Sequence, residues 1–191
     1  MKVIGFTSNY GELEEAPMCY LMADSSILYT GRPFFLPDFA QSFVATPTIV
    51  VRTGRLGKCI APKFAHRYWD AFTAAFTVRA VNSDDGRVTA LDRAFDGALI
   101  VGEWVEHPGD LQALDKMVHM AVNGVETASC RLGDMRHPLA DLLAAVSTRC
   151  SIKMGDIIVT GDAAGGSVLA PGDRLTAAID GIPVLDVKVR L

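Results

Sequence analysis

The histidines are the first side chains of this sequence that could carry acid–base or metal chemistry. Catalytic bases and metal ligands work in groups, because a proton relay or a bound cation needs several side chains in contact. The four histidines are far apart in the sequence, and none of them stands at metal-ligand spacing from a cysteine. They are His66, His107, His119 and His137. We therefore expect unpartnered surface or core residues and no histidine site.

The acidic clusters are typical of loops. Residues 12–15 (ELEE) lie in a polar N-terminal stretch, and residues 84–86 (DDG) have the composition of a turn. Glu103 and Glu106 stand near the end of a predicted strand, where strand alternation does not aim both side chains at one point as a metal site requires. These acids do not predict a site.

The glycine-rich segment 160–167 (TGDAAGGS) follows a predicted strand, as phosphate-binding loops do. It lacks both the Gly-Lys-Ser/Thr ending of a P-loop and the GxGxxG order, and another turn follows it instead of a helix. The chain also has no GxSxG nucleophile elbow. The residues taken alone therefore leave the catalytic groups unknown.

Short runs of β-branched and aromatic residues dominate the chain and predict a mainly β or α+β protein. Asn123-Gly124 and Asp180-Gly181 suit two-residue hairpins, and Gly155-Asp156 and Gly172-Asp173 are typical of turns that precede a strand. The predicted strands cover residues 2–6, 48–53, 72–81, 98–105, 117–122, 156–160, 174–179 and 183–189.

Two helices are predicted as well. One runs from Pro62 to Asp70 and begins with a proline, and the other runs from Pro138 to Thr148. The second helix carries leucines at helical spacing, which indicates that one of its faces is buried.

Length and composition set the remaining expectations. A chain of 191 residues that is 50% hydrophobic is long enough for one core, so we predict a single domain over residues 1–191. The net charge of -4, with both signs interspersed, gives no reason to expect a nucleic-acid partner. No apolar run is long enough for a signal-peptide core or a membrane span, so we expect a cytoplasmic protein with four buried free thiols.

Several motifs in order along nearly the whole chain carry a family resemblance. They are the pair Asn9-Tyr10, the segments 22–39 and 54–72, the block RAFDGAL at 93–99, the hairpin VNGVETA at 122–128, and the run from MGDIIVTGDAAGG to the last hairpin. Together they resemble the fumarylacetoacetate hydrolase family, in particular its short bacterial members. The chain is identified on this basis as a divergent member.

That resemblance implies a fold and a chemistry. The fold would be a rolled, mixed β-sheet with a few short helices, and members commonly form homodimers. They hold Mg²⁺ or Mn²⁺ with a Glu-x-Glu on one strand and an Asp on another, and use the cation to polarise a 2-oxo or 1,3-dioxo acid. Hydrolysis, decarboxylation and isomerisation are among their reactions.

The three metal-binding acids of the family are replaced here by Thr46, Thr48 and Thr77. Neutral hydroxyls are poor ligands for a divalent cation, although two-residue spacing still directs Thr46 and Thr48 to one face. Other family positions have also changed, for example to Met22, and the segment between residues 82 and 93 is shortened. The cleft that the resemblance implies contains no metal ligand and would be formed by Thr46, Thr48, Thr77, Arg93, Asp96, Thr160, Gly161 and Asp162.

We therefore expect a member that has lost the metal-dependent reaction, has no cofactor, and is non-catalytic or repurposed to bind a small oxo acid or carboxylate. The alternative is an active hydrolase, decarboxylase or isomerase for a small 2-oxo acid, with Mg²⁺ or Mn²⁺ on other acids: Asp24, Asp96, Glu103 or Asp162. A subunit of a hetero-complex with an active paralogue is a third hypothesis. The three threonines are also explained as ordinary strand residues, since threonine favours strands.

Overall fold

A computed structural model describes residues 1–11, 18–82, 88–106 and 111–191. The predictions for residues 12–15, 84–86 and His107 lie outside the described residues. Within them the chain forms fourteen strands, one α-helix and five short 3-10 helices, which confirms the mainly β fold.

The strands are, in chain order, β1 Val3–Phe6, β2 Cys19–Met22, β3 Ile27–Tyr29, β4 Phe34–Phe35, β5 Ser42–Thr53, β6 Trp69–Val81, β7 Leu99–Val101, β8 Val105–Glu106, β9 Met117–Val122, β10 Val125–Arg131, β11 Ile157–Asp162, β12 Ser167–Val168, β13 Arg174–Ile179 and β14 Ile182–Arg190. The α-helix, α1, is Leu139–Arg149, and the 3-10 helices are Asp24–Ser26, Pro62–Arg67, Leu91–Arg93, Leu111–Asp115 and Leu132–Asp134.

Nine of these strands form one mixed sheet. Its main order is β2-β1-β11-β5-β6-β7-β3, with β12 also paired to β5 and β8 paired to β6. The pairs β1–β11 and β3–β7 are parallel, whereas the long central pair β5–β6 is antiparallel. The remaining strands form a second sheet in the order β10-β9-β13-β14-β4.

The main hydrophobic core contains residues from both sheets and from α1. Phe72 and Phe76 of β6 contribute to it together with Leu175 of β13, Leu185 of β14 and Leu143 of α1. All of these side chains are excluded from water or nearly so. Burial of large apolar side chains is the dominant favourable term in folding, so this core fixes the position of β5 and β6.

A second buried cluster lies on the other face of the nine-stranded sheet. It includes Val50 of β5, Ala75 of β6, Leu99 of β7 and Val159 of β11. Because side chains alternate along a strand, the residues two positions from Val50 and Ala75 point to this same face. The cleft threonines Thr48 and Thr77 therefore lie on the same face of the sheet as the second cluster.

Both predicted hairpins are confirmed. Asn123-Gly124 joins β9 to β10 with φ values of 54° and 78°, and Asp180-Gly181 joins β13 to β14 with φ values of 49° and 81°. Positive φ at both central residues is what a two-residue turn of this type requires, and Asn, Asp and Gly tolerate it best. Helix α1 also agrees with its predicted bounds to within one residue at each end.

The predicted helix from Pro62 to Asp70 was wrong in type and in length. Residues Pro62–Arg67 form a 3-10 helix, and Trp69 already belongs to β6. The Trp69 side chain is buried in the main core. Tertiary burial thus overrides the local helical pattern and continues the strand towards the N-terminus.

Two predicted strands differ most from the observed elements. Strand β5 begins at Ser42, six residues before the predicted start, and so includes Pro47. The predicted strand over 98–105 is divided into β7 and β8, because the backbone of Gly102 approaches two neighbouring strands: a Cβ there would lie 2.8 Å from the Val184 carbonyl oxygen and 3.1 Å from that of Ala74. Close backbone approach is a common reason for glycine within a strand.

The four cysteines are free, but only Cys130 is buried. Cys19 and Cys59 are exposed and Cys150 is partly buried, so the expectation of four buried thiols was wrong. No helix of the described segments has the length and apolar character that crossing a membrane requires.

The two Gly-Asp turns allow a matched stability prediction. The carboxylate of Asp156 is fully buried, forms an ion pair with Lys2, and accepts hydrogen bonds from the backbone N–H groups of Lys2 at 3.0 Å and Lys153 at 2.7 Å. We expect Asp156→Ala to lower the free energy of unfolding by about 2 to 3 kcal/mol, because buried donors lose their acceptor. Urea unfolding measures this change.

The control is Asp173→Ala in the equivalent turn. Asp173 accepts from the Ala170 N–H and the Asn123 amide, both at 2.8 Å, in exposed positions where water can replace the carboxylate. Its loss should cost about 1 kcal/mol or less. Equal losses at the two positions would contradict the assigned role of Asp156.

Candidate functional site

The three cleft threonines lie side by side on the face of the second buried cluster. Thr46 of β5 is directly opposite Thr77 of β6, and Thr48 is two residues further along β5. Thr48 and Thr77 are buried and Thr46 is half-buried. The Thr48 hydroxyl donates a hydrogen bond of 2.6 Å to the Gly161 carbonyl oxygen. The structure therefore brings the three predicted positions together.

A bulge in β11 brings Asp162 to the same place. Val159 is opposite Val50, so regular pairing would put Gly161 opposite Thr48, but the register shifts by one residue and Asp162 takes that position. Gly161 absorbs the extra residue with a φ of 128°. A one-residue shift moves a side chain to the other face of a sheet. The bulge thus turns the Asp162 carboxyl into the cleft beside Thr48.

Asn9, Tyr10 and Thr160 hold the bulge from the opposite side. The Asn9 amide donates to the Thr160 and His137 carbonyl oxygens, both at 3.0 Å. The Thr160 hydroxyl donates to the Ile49 carbonyl oxygen at 2.8 Å and shares a 2.8 Å hydrogen bond with the Tyr10 hydroxyl. Burial raises the pKa of Tyr10 well above its usual range, so its hydroxyl stays protonated.

The Asp162 carboxyl is in an environment that opposes ionisation. Burial raises its pKa above the ordinary value, while Arg93, a hydrogen bond from the Ser8 backbone N–H and Arg79 act in the opposite direction. Its Oδ1 atom is buried and has no hydrogen-bond partner among the described residues. A buried polar atom without a partner is costly, so it requires an explanation such as a water molecule, an ion or a functional role.

Tyr20 and Arg93 form the wall of the cleft next to Asp162. The guanidinium carbon of Arg93 lies 5.1 Å from the centre of the Tyr20 ring. The ring crosses Gly5 on the neighbouring strand, where a Cβ would lie 2.1 Å from it. Burial raises the pKa of Tyr20 to about 12, and Arg93 limits that rise. The Tyr20 hydroxyl is buried, and Arg93 is the cation that acts on it.

The residues present do not fit a divalent cation. Three of the positions nearest to Asp162 carry neutral hydroxyls, and the charges of Arg93 and Arg79 act on the one carboxyl beside them. The backbone of Gly166 also covers Thr46, since a Cβ at Gly166 would lie 2.8 Å from the Thr46 hydroxyl. Within the described residues no group of three or more His, Cys, Asp or Glu side chains could hold a metal ion.

The other residues considered from the sequence lie elsewhere. Asp24, Asp96 and Glu103 are exposed, and none of them acts on the carboxyl of Asp162. His119 lies 2.7 Å from Glu126 on the exposed surface, so the expectation that no histidine has a partner was wrong, although the pair is far from a cluster of ligands.

Sequence reasoning missed Tyr20 and Arg79 as cleft residues. Arg79 follows Thr77 by two positions on β6, so period-two spacing could have assigned it to the same face. Tyr20 gave no such signal, because its strand has only four residues and pairs with β1 from a distance along the chain.

Taken together, the rolled mixed sheet and the cleft on one face of it define a class of β-rich proteins. The family model for the C-terminal region of fumarylacetoacetate (FAA) hydrolase matches residues 5–190, and the chain therefore belongs to the fumarylacetoacetate hydrolase family.

Individual relatives agree with this assignment. The chain is similar to oxaloacetate tautomerase YcgM of Escherichia coli K12, with 24% identity over 196 residues that cover 94% of this chain and 89% of the relative. Two solved structures confirm the fold, each with a TM-score of 0.85.

The first structure is 5-carboxymethyl-2-hydroxymuconate delta-isomerase from Mycobacterium smegmatis, with 24% identity over 99% of this chain and 78% of that one. The second is fumarylpyruvate hydrolase from Pseudomonas aeruginosa in complex with Mn²⁺ and pyruvate, with 18% identity over 100% and 90%.

We predict that Gly161→Ala destabilises the chain by about 3 kcal/mol. The φ of 128° is rarely adopted by residues with a side chain, and the new Cβ would lie 2.5 Å from the Asn9 Cβ and 2.8 Å from its backbone nitrogen. Gly124→Ala is the control, because Gly124 has a φ of 78° and nothing within 4 Å of its Cβ position. That variant should lose only about 1 kcal/mol. Equal losses in chemical denaturation would contradict the steric role of Gly161.

A pH prediction follows for Asp162. Because burial raises its folded-state pKa, the folded chain binds more protons than the unfolded chain above about pH 4. The stabilising contribution of Asp162 is therefore complete below the unfolded pKa and is lost as pH rises through the folded pKa. Asp162→Asn keeps the shape and the acceptor for Ser8.

We expect Asp162→Asn to be more stable than the wild type near neutral pH, with an advantage that shrinks as the pH is lowered towards about 4. Urea unfolding over this pH range measures the difference. If the stability of the wild type relative to the variant instead increases as pH rises, Arg93 and Arg79 lower the pKa of Asp162 by more than burial raises it.

Proposed function

We propose that this chain binds a small carboxylate in the family cleft without a metal ion, and that it has lost the family's metal-dependent reaction on oxo acids. The observation that carries the proposal is the group formed by Tyr20, Arg93 and Asp162. Arg93 acts on both Tyr20 and Asp162, and the buried Oδ1 atom of Asp162 has no hydrogen-bond partner among the described residues.

Arg93 and Tyr20 are suited to donate hydrogen bonds to an anion. Arg93 is permanently charged and has a planar fork of N–H groups that matches a carboxylate. Burial keeps the Tyr20 hydroxyl protonated, and it raises the pKa of the Asp162 carboxyl above its ordinary value. A carboxylate offers two acceptor oxygens and a negative charge, so it complements the N–H groups of Arg93 and the hydroxyl of Tyr20.

The same arrangement argues against metal-dependent catalysis. Mg²⁺ and Mn²⁺ need several hard, negatively charged oxygen ligands. The charges of Arg93 and Arg79 act on the only carboxyl that the described residues place among the three threonines, and such neighbours repel a dication. The Thr48 hydroxyl already donates to a backbone carbonyl, which is a structural role.

Thermal unfolding in the presence of EDTA tests the proposal. Added oxalate or pyruvate should raise the Tm, since a ligand at one hundred times its Kd stabilises the folded state by about 2.7 kcal/mol. Mg²⁺ or Mn²⁺ added without EDTA and without a carboxylate should cause no shift. Arg93→Gln should abolish the carboxylate effect, and the exposed control Arg55→Gln should keep it.

Two results would overturn the proposal. One is a micromolar affinity for Mg²⁺ or Mn²⁺ in calorimetry. The other is binding of oxalate that requires a divalent cation, because such binding would mean that the family's metal site persists.

A second candidate function is metal-free isomerisation of a small 2-oxo acid. It is favoured by the Asp162 carboxyl, whose raised pKa and unpartnered oxygen suit a group that carries a proton between two atoms of a bound ligand. The similarity to an oxaloacetate tautomerase makes keto–enol exchange the reaction to assay. Metal ligation by Asp24, Asp96 or Glu103 has no such support, since all three are exposed.

Tautomerisation of oxaloacetate followed by ultraviolet absorbance separates the two candidates. Turnover in EDTA that disappears in Asp162→Asn, while carboxylate binding is kept, would establish the isomerase. Binding without turnover above the buffer rate would establish the non-catalytic protein.

Three further expectations stay predictions: the homodimer, the hetero-complex with an active paralogue and the cytoplasmic location. Light scattering of the purified chain tests the homodimer.

A further inference from the structure

The cleft continues into a large cavity on the far side of Tyr20 and Arg93. These two residues, which flank Asp162, also line a cavity of about 790 Å³ that extends across β2 to α1. Its other walls include Ile4 of β1 and Val146 of α1. Two cations line the cavity, Arg93 of the proposed carboxylate site and Arg149 at the end of α1.

The cavity is mainly lined by apolar side chains, and several of them are exposed to solvent. Met18, Leu21 and Val88 have exposed fractions of 72%, 62% and 49%. Apolar side chains that share a concave surface are typical of binding sites, because a ligand that covers them removes apolar area from water. Each methylene group that such a ligand buries strengthens binding by about fourfold.

The volume also indicates a ligand larger than the smallest oxo acids. A water molecule occupies about 30 Å³ in the liquid, so an acid with six heavy atoms, such as pyruvate, needs on the order of 100 to 200 Å³. Pockets for ligands of drug size have roughly 300 to 1,000 Å³. A three-carbon acid held at Arg93 would leave most of this cavity and its apolar wall uncovered.

We propose that the ligand of this cleft is an amphipathic carboxylate, with its carboxylate on Arg93 and an apolar tail of about five to eight carbons along Leu21 and Val88. This inference rests on the proposed carboxylate site and adds the class of ligand. It follows from the adjacency of Arg93 and the apolar side chains of Leu21 and Val88 in a single cavity. Arg93 binds the carboxylate group, and the apolar side chains of the cavity determine which tails bind.

A homologous series of 2-oxo acids tests the inference. Calorimetry in EDTA would compare pyruvate, 2-oxohexanoate and 2-oxooctanoate. We expect affinity to rise along the series, by at least thirtyfold from pyruvate to 2-oxooctanoate, since five methylene groups are added and partial burial is sufficient for this gain. Arg93→Gln should abolish binding of all three acids, which excludes adsorption of the tail alone.

Leu21→Ser tests the proposed position of the tail. Leu21 is exposed on an edge strand, so the fold should tolerate the change, and we expect weaker binding of 2-oxooctanoate with unchanged binding of pyruvate. The matched control is Ile182→Ser, at a residue of 69% exposure in the β13–β14 hairpin outside the cavity. This control should leave both affinities unchanged.

Cysteine alkylation gives an independent measurement. Cys19 lines the cavity and is exposed, whereas Cys59 is exposed and is not among the lining residues. Saturating 2-oxooctanoate should slow the alkylation of Cys19 by iodoacetamide severalfold and leave the rate at Cys59 unchanged. Mass spectrometry of peptides follows both sites in the same sample.

The outcomes separate this inference from the proposed function. Equal affinities for pyruvate and 2-oxooctanoate, with both lost in Arg93→Gln, would overturn the amphipathic ligand and keep the carboxylate site. Binding of 2-oxooctanoate that survives Arg93→Gln would overturn it as well. Failure of every acid to bind the wild-type chain would overturn the carboxylate site and this inference with it.

Discussion

Strand β11 contains one residue more than regular pairing with β5 requires, and the backbone of Gly161 absorbs it. Without this bulge Asp162 would be opposite Pro47 and point into the main core, where a carboxyl would have to be buried among apolar side chains. With it, the carboxyl lies beside Thr48 and near Arg93. The chemistry available to the cleft therefore depends on a conformation that glycine tolerates and that a Cβ would prevent.

The hydrogen bonds around the bulge explain how the threonines fit a fold that elsewhere holds a metal. The Thr48 hydroxyl donates to the Gly161 carbonyl oxygen, and Asn9 and Tyr10 hold Thr160 from the other side. These contacts satisfy backbone groups that the irregular pairing leaves without their usual partners. The proposal that this cleft binds an anion and not a dication rests on neutral hydroxyls that support the backbone and on cations that act on one buried carboxyl.

Part of the fold could be predicted because it depends on local conformation. The hairpin at Asn123-Gly124 and the Gly-Asp turn at Asp156 require backbone angles that few residue types tolerate, so the residue type is itself the signal. The 3-10 segment after Pro62 could not be predicted in the same way. Its end is decided by the burial of Trp69 between elements that are distant in sequence.

The sequence by itself determined the mainly β class, both hairpins, the resemblance to a family and the replacement of acids by Thr46, Thr48 and Thr77. Each of these is a property of residue types and their order. Only the tertiary structure decided which face Asp162 occupies, because a bulge changes the register without changing the composition of a strand. It also decided that Tyr20 and Arg93 meet, since packing joins segments whose separation along the chain carries no signal of contact.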